Sequence, residues 1–158
     1  MKKNIKWLFC DVDGTMTDGG VYYDGTGNEF KKFNIKDGAG ILLAQKNGIQ
    51  IVVITGRECF ATEHRMTELG VKHLYQNVKD KKSYLVDFIK EQNIKLENTS
   101  YIGDDLNDLE CMEFIKSGGG LCACPADAVE TIRNECDFVC TKKGGEGAIR
   151  ELIDSCIK

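Results

Sequence analysis

The chain has 158 residues, of which 42% are hydrophobic and 29% charged, a composition that suits one globular domain with one core. Its formal net charge is -4 and it has no long basic run, which argues against nucleic acid as a partner. Its apolar stretches are far shorter than the roughly 20 residues that span a bilayer, and no signal peptide pattern is present. We therefore expect one domain over residues 1–158, located in the cytoplasm, with neither nucleic acid nor a membrane as partner.

Short apolar segments alternate with helical patterns along the chain. The sequence predicts strands at residues 6–10, 49–54, 73–75, 99–102, 120–124 and 137–139. It predicts helices at residues 38–47, 59–69, 82–92, 106–115, 126–134 and 146–157. Such alternation is typical of a parallel sheet covered by helices on both faces, so we expect an α/β, Rossmann-like three-layer sandwich with a mainly parallel sheet.

One segment breaks this alternation soon after the first strand. Residues 21–23 and 29–33 read as short strands, and they flank the glycine-rich turn of residues 24–27. This pattern predicts a projecting β-hairpin. Its place in the chain, directly after the first strand, indicates that it overhangs whatever site that strand carries.

The eight cysteines allow a structural alternative to simple packing. Four of them could be imagined as zinc ligands: Cys122, Cys124, Cys136 and Cys140. However, Cys122 and Cys124 fall on one face of a predicted strand, where thiols pack as small hydrophobes, and the chain has no Cys-x-x-Cys pair. We expect the cysteines to pack in the core rather than to form disulfides or bind zinc.

Polar side chains follow several of the predicted strands where each strand ends. Because the carboxyl ends of parallel strands share one edge of the sheet, these side chains are expected to converge at a ligand site. The converging residues are Asp11, Asp13, Thr55, Lys81, Asp104 and Asp105.

The chemistry of this set is coherent. Acidic oxygens suit Mg²⁺, a hard cation that prefers oxygen ligands. One aspartate can attack a phosphoryl group as a nucleophile, and a second can protonate the leaving alcohol and then deprotonate water. A hydroxyl and a lysine can stabilise the phosphoryl oxygens. The strand ends therefore indicate a Mg²⁺-dependent phosphoryl-transfer site.

Four segments resemble, in order and spacing, the four motifs of the haloacid dehalogenase superfamily of phosphohydrolases: Asp11-Val12-Asp13-Gly14-Thr15, Thr55, Lys81 and Gly103-Asp104-Asp105. The resemblance implies that Asp11 is the nucleophile and Asp13 the general acid and base, with Thr55 and Lys81 on the phosphate. It also implies that Mg²⁺ takes the carboxylates of Asp11 and Asp104 and the main-chain carbonyl of Asp13. Asp105 and Asp108 are expected to help through water or as supporting residues.

Many members of this superfamily carry an inserted cap domain, and the spacing of the motifs here leaves no room for one. The hairpin, residues 33–41 and the glycine-rich segment of residues 144–151 resemble the capless sugar-acid phosphatases. That family forms homotetramers in which the hairpins meet at the centre and a neighbouring subunit completes each site. The resemblance therefore implies a small sugar-acid phosphate as substrate and a homotetramer.

Arginine is suited to the carboxylate of such a substrate, because its planar guanidinium can bind both oxygens. Arg57 follows Thr55 and Gly56, and Arg65 lies two turns further along the same predicted helix. We expect Thr55, Gly56, Arg57, Arg65 and Lys81 to bind substrate. Within the family the Thr-Gly-Arg sequence favours 3-deoxy-D-manno-octulosonate (KDO) 8-phosphate, with an N-acylneuraminate or KDN 9-phosphate as the alternative.

Two other functions are compatible with the sequence. The first is a non-catalytic oligomerisation module that keeps the fold, and the intact set of chemical residues argues against it. The second is a phosphatase acting on a phosphoprotein or a nucleic acid end, and the net negative charge argues against nucleic acid. The oligomeric state discriminates, because a monomer would leave the site open to a macromolecule.

Overall fold

Six strands form one parallel sheet in the computed structural model, which describes residues 4–157. The strands of the sheet lie in the order β5-β4-β1-β6-β7-β8. Their bounds are β1 Trp7–Cys10, β4 Gln50–Ile54, β5 His73–Tyr75, β6 Thr99–Ile102, β7 Leu121–Cys124 and β8 Phe138–Val139. Every neighbouring pair in this order is parallel, so the predicted α/β class with a mainly parallel sheet is confirmed.

Helices cover both faces of the sheet and enclose two hydrophobic clusters. Their bounds are α1 Ile35–Lys46, α2 Phe60–Glu68, α3 Lys81–Glu91, α4 Leu106–Ser117, α5 Glu130–Glu135 and α6 Ala148–Ile157. Successive strand residues enter opposite clusters: Leu8 and Cys10 pack toward α1, α2 and α6, whereas Phe9 packs toward α3, α4 and α5. Full burial of a leucine or phenylalanine side chain such as Leu8 or Phe9 contributes about 1.5–3 kcal/mol, so the packing on both faces stabilises the sheet.

The register of the sheet positions the candidate site. The last residue of β1, Cys10, pairs with Val53 of β4 on one side and with Ile102 of β6 on the other. The chain first leaves β1 toward β4 and later returns on the opposite side as β6, which makes β1 a topological switch point. Ligands bind outside the carboxyl ends of strands at such a point.

The predicted hairpin is present, as β2 Tyr22–Tyr23 and β3 Glu29–Phe30. Its turn is held by Asp24, whose carboxylate accepts the backbone N–H groups of Thr26 at 2.7 Å and Asn28 at 2.9 Å. The second strand is shorter than predicted, because Phe33 pairs instead with Thr17 in a separate antiparallel bridge. Within residues 4–157 the hairpin and α1 fill the whole connection from β1 to β4, and no cap domain is inserted there.

Two helices begin three or more residues away from their predicted starts. Helix α1 begins at Ile35 rather than at residue 38, because the Asn34 side chain accepts the Lys36 N–H and caps the helix. Gly40 lies inside α1 and lets α6 pack closely against it, because a Cβ at this position would lie 3.0 Å from the Arg150 side chain. Helix α5 begins at Glu130 rather than at residue 126, because the preceding residues form a turn in which the Val129 N–H binds the Asp104 carbonyl.

The predicted packing of the cysteines in the core is confirmed for six of the eight, whereas Cys136 and Cys156 are only partly buried. Cys122 and Cys124 are both fully buried in the cluster beneath α3, α4 and α5. No disulfide joins any of the eight cysteines, all of which lie within residues 4–157. In the same residues, the group suited to hold a metal ion consists of three aspartates and contains no cysteine. None of the helices in this part of the chain is long and apolar enough to cross a membrane.

Candidate active site

Three aspartates meet at the carboxyl edge of the sheet, next to the switch point. Carboxylate oxygens of Asp11, Asp104 and Asp108 lie within 4.8 Å of one another. Burial, and then the charge of Asp108, raise the pKa of Asp11, and burial raises the pKa of Asp104 to about 6. A divalent cation between these oxygens would offset both the repulsion and the lost solvation. The donor set consists of hard oxygens and therefore fits Mg²⁺.

Lys81 links two of these carboxylates. Its Nζ donates to Asp11 Oδ1 at 2.6 Å and to Asp108 Oδ1 at 2.8 Å, and its side chain is only 3% exposed. It lies at the first position of α3, which is capped by Asp80 accepting the Ser83 N–H. Burial lowers the pKa of Lys81, but the charges of Asp11 and Asp108 outweigh that effect and raise it. Lys81 is therefore cationic and points into the site.

Asp108 is held by more groups than the other acids of the cluster. It is fully buried and accepts hydrogen bonds from Lys81, from the Tyr101 hydroxyl at 2.7 Å and from the Asp104 N–H at 3.1 Å. Asp105 differs, because its carboxylate turns back to accept the Leu106 N–H at 2.7 Å and caps α4. The structure thus brings Asp108 into the cluster and uses Asp105 as a helix cap, and a metal role for Asp105 stays a prediction.

The segment that carries Asp11 also fixes Asp104. The Thr15 hydroxyl, in the loop after β1, donates to Asp104 Oδ1, in the loop after β6, at 2.9 Å. Gly14 adopts φ +86, and a Cβ there would lie 2.1 Å from Asp104 Oδ2. Glycine is therefore required at position 14, both for its backbone conformation and for the close approach of Asp104.

Asp13 lies at the open side of the site, with 30% of its side chain exposed. The Thr55 hydroxyl is 3.5 Å from Asp13 Oδ2, which brings the predicted phosphate-binding threonine next to the predicted acid and base. Lys31 also contacts Asp13, and its Nζ donates a hydrogen bond to Asp13 Oδ1. Lys31 is a residue that sequence reasoning missed. The hairpin that carries it overhangs the site as predicted.

The two predicted substrate arginines lie in different surroundings. Arg57 is 46% exposed and donates through Nη2 to Glu29 of the hairpin at 3.1 Å, and the preceding Gly56 offers its carbonyl to Lys79 at 2.8 Å. Arg65 pairs with Glu68 at 3.3 Å, and its guanidinium packs against α1, where it occupies the space beside Gly38. The contacts of Arg65 lie within α1 and α2, so a role of Arg65 toward substrate stays a prediction.

A parallel sheet with an acid cluster and a buried lysine at its switch point is suited to Mg²⁺-dependent phosphoryl transfer, and sequence comparison gives the family. Residues 73–152 match the haloacid dehalogenase-like hydrolase family. The chain belongs to this family.

Several relatives of the chain within this family are named for one substrate. It is 40% identical over 152 residues to the 3-deoxy-D-manno-octulosonate 8-phosphate phosphatase KdsC of Escherichia coli K12, covering 96% of this chain and 79% of that protein. The crystal structure of the same enzyme from Moraxella catarrhalis, in complex with magnesium, phosphate and KDO, superposes with a TM-score of 0.90 at 37% identity, covering 97% of this chain and 86% of that one. The cobalt-bound Haemophilus influenzae phosphatase gives a TM-score of 0.88 at 35% identity, covering 97% and 87%.

Proposed function

We propose that this protein is a Mg²⁺-dependent phosphomonoesterase that hydrolyses KDO 8-phosphate to KDO and inorganic phosphate. The observation that carries the proposal is the group of three aspartates, two of which are bridged by the buried Lys81, with Asp13 and Thr55 at its open side. The identity of 40% to an E. coli enzyme named for this substrate supports the choice of sugar acid.

Mg²⁺ would be held by the carboxylates of Asp11 and Asp104 and by the main-chain carbonyl of Asp13, with Asp105 acting through water. When bound, it supplies positive charge that lets a dianionic phosphate approach the carboxylates. Thr15 holds Asp104 in place through its hydroxyl, and Asp108 holds Lys81.

The reaction takes two steps on this chain. A carboxylate oxygen of Asp11 bonds to phosphorus while the bond from phosphorus to the sugar oxygen breaks, and Asp13 gives its proton to that oxygen. An aspartyl phosphate on Asp11 results. Asp13 then takes a proton from water, whose oxygen attacks phosphorus and releases inorganic phosphate and the Asp11 carboxylate. Thr55 and Lys81 hold the phosphoryl oxygens in both steps.

The sugar acid would be recognised at the mouth of the site, the open side where Asp13 and Thr55 lie. Arg57 lies there and already binds a carboxylate, that of Glu29, at 3.1 Å. We assign to Arg57 the carboxylate of the substrate, with the Gly56 backbone next to the phosphate and Arg65 as a further cationic group.

We further propose that the whole chain forms one domain of this family and assembles as a cytoplasmic homotetramer through the hairpins. Apolar side chains on the hairpin support the assembly, since Val21 is 55%, Tyr23 61% and Phe30 54% exposed. Exposed apolar groups gathered on one projecting element are typical of an interface. The eight cysteines without a disulfide are typical of a reducing compartment.

Phosphate release with Mg²⁺ tests the function directly. The panel contains KDO 8-phosphate, N-acetylneuraminate 9-phosphate, KDN 9-phosphate and common hexose phosphates. We expect kcat/KM for KDO 8-phosphate to stand well above the others, and Asp11→Asn to abolish turnover while circular dichroism stays unchanged. A higher kcat/KM for a nonulosonate 9-phosphate would replace the substrate, and uniformly weak turnover would overturn the proposal. Appreciable kcat in pure Asp11→Asn protein would refute the nucleophile assignment.

A further inference from the structure

Lys31 is a buried cation on an otherwise exposed hairpin. Its side chain is 2% exposed, whereas the next residue, Lys32, is 60% exposed and pairs loosely with Asp18 at 3.6 Å. Burying an ammonium group is costly unless carboxylates meet it. Lys31 meets two, because its Nζ donates to Asp13 Oδ1 and to Glu29 Oε1, the latter at 3.1 Å.

Exposure alternates along residues 29–32, and this alternation continues past the end of β3 at Phe30 and places Lys31 over the site. Side chains along a strand point alternately to opposite faces. Phe30 and Lys32 are exposed, whereas Glu29 and Lys31 face inward with side chains 15% and 2% exposed. Glu29 is in turn held by Arg57 at 3.1 Å, so the inner face of the hairpin is fastened to the loop after β4.

The two oxygens of Asp13 are therefore held differently. Oδ1 accepts from the Lys31 ammonium, which is fixed by Glu29. Oδ2 has a long contact of 3.5 Å with the Thr55 hydroxyl, at the edge where phosphate would bind. A charge-assisted hydrogen bond to one oxygen fixes the plane of the carboxylate and leaves the other directed at its target.

We propose that Lys31 is a positioning residue for general acid catalysis, which holds Asp13 Oδ1 so that Oδ2 gives its proton to the leaving oxygen. The proposal rests on the proposed function, since it assigns a supporting role within the same reaction. Lys31 touches neither phosphate nor sugar in this role and acts through Asp13. Glu29 supports this role by accepting a second hydrogen bond from the Lys31 ammonium.

Dependence on the leaving group separates this role from a merely structural one. Phenyl phosphate and p-nitrophenyl phosphate have almost the same shape and no carboxylate for Arg57. Phenolate is the poorer leaving group and needs the proton of Asp13 more than p-nitrophenolate does. Their ratio of kcat/KM, which reports steps up to leaving-group departure, therefore measures general acid catalysis. Both substrates are assayed on one preparation, so any loss of folded protein cancels in the ratio.

The test compares Lys31→Met with wild type and with Lys32→Met, which removes the same charge from the outer face of the same hairpin. Because general acid catalysis contributes about 10²–10⁴-fold, we expect Lys31→Met to lower kcat/KM for phenyl phosphate roughly tenfold more than for p-nitrophenyl phosphate. Lys32→Met should leave the ratio of the two substrates unchanged.

Equal losses on both substrates, or no loss on either, would overturn the role of Lys31 and leave the proposed function standing. An equal change of the ratio in Lys32→Met would also overturn it, because the effect would then belong to the charge of the hairpin as a whole. Wild-type protein that hydrolyses neither KDO 8-phosphate nor the aryl phosphates with Mg²⁺ would overturn the proposed function, and the role of Lys31 with it.

Discussion

Asp105 and Asp108 are three residues apart at the start of α4. Replacing each by alanine compares their contributions to the free energy of unfolding and to Mg²⁺ affinity. Asp108 is fully buried and accepts from Lys81, Tyr101 and the Asp104 backbone, whereas Asp105 caps the helix at the surface. Asp108→Ala leaves Lys81 with Asp11 as its remaining carboxylate and leaves the Tyr101 hydroxyl without its acceptor. Asp105→Ala removes the cap of α4, in which the Asp105 carboxylate accepts the N–H groups of Leu106 and Asp108.

The structure gives the two magnitudes. Removing one partner of a buried ion pair costs about 3–5 kcal/mol, and solvent screening is slight here because the Lys81 side chain is 3% exposed. Since Lys81 keeps Asp11 at 2.6 Å, we expect the lower end of that range for Asp108→Ala. Loss of the Asp105 cap should cost about 0.5–2 kcal/mol.

Urea unfolding in Mg²⁺-free buffer measures both changes without stabilisation by a bound cation. Titration calorimetry with Mg²⁺ then asks which variant loses metal affinity. Equal losses of unfolding free energy at the two positions would refute this division of roles between Asp105 and Asp108. Unchanged Mg²⁺ affinity in Asp105→Ala would remove Asp105 from the metal site.

Three further predictions concern the glycine beside Asp104, the arginine at the mouth and a buried acid away from the site. Gly14→Ala should abolish most turnover and weaken Mg²⁺ binding, because its Cβ would lie 2.1 Å from Asp104 Oδ2, whereas Gly25→Ala, with nothing within 4 Å, should leave kcat unchanged. Arg57→Ala should raise KM for KDO 8-phosphate more than KM for p-nitrophenyl phosphate, and equal effects would remove its role in carboxylate binding. The Asp37 Oδ1 accepts the Arg150 N–H at 2.8 Å, and burial raises the pKa of this carboxyl group. The folded protein therefore favours the protonated form of Asp37, and the stability that this form contributes is lost as the pH rises through the raised pKa. Asp37→Asn should therefore gain unfolding free energy relative to wild type between acid and neutral pH, as measured by urea unfolding at a series of pH values.

The positions of the site elements could be predicted from the sequence because they depend on short-range patterns. Apolar runs that end in polar residues fix where strands end, and the parallel sheet brings those ends together. Asp11 and Asp104 therefore meet as expected, and Thr15, from the segment that follows Asp11, donates a hydrogen bond to Asp104. The sequence alone does not distinguish Asp105 from Asp108 as a member of the cluster, because both follow the same strand. The capping geometry turns the first carboxylate toward its own helix, and the helical spacing directs the second inward.

Lys31 shows why part of the site could not be predicted. Alternation along a strand indicates that Glu29 and Lys31 share one face of the hairpin, but it does not tell which face is covered. That depends on the twist of a two-stranded ribbon and on the bridge between Thr17 and Phe33, which ties the base of the hairpin. The contact between Lys31 and Asp13 follows from both, and it gives a surface element a place beside the acid and base. A hairpin fastened in this way by Lys31, Glu29 and Arg57 couples its own position to the orientation of Asp13.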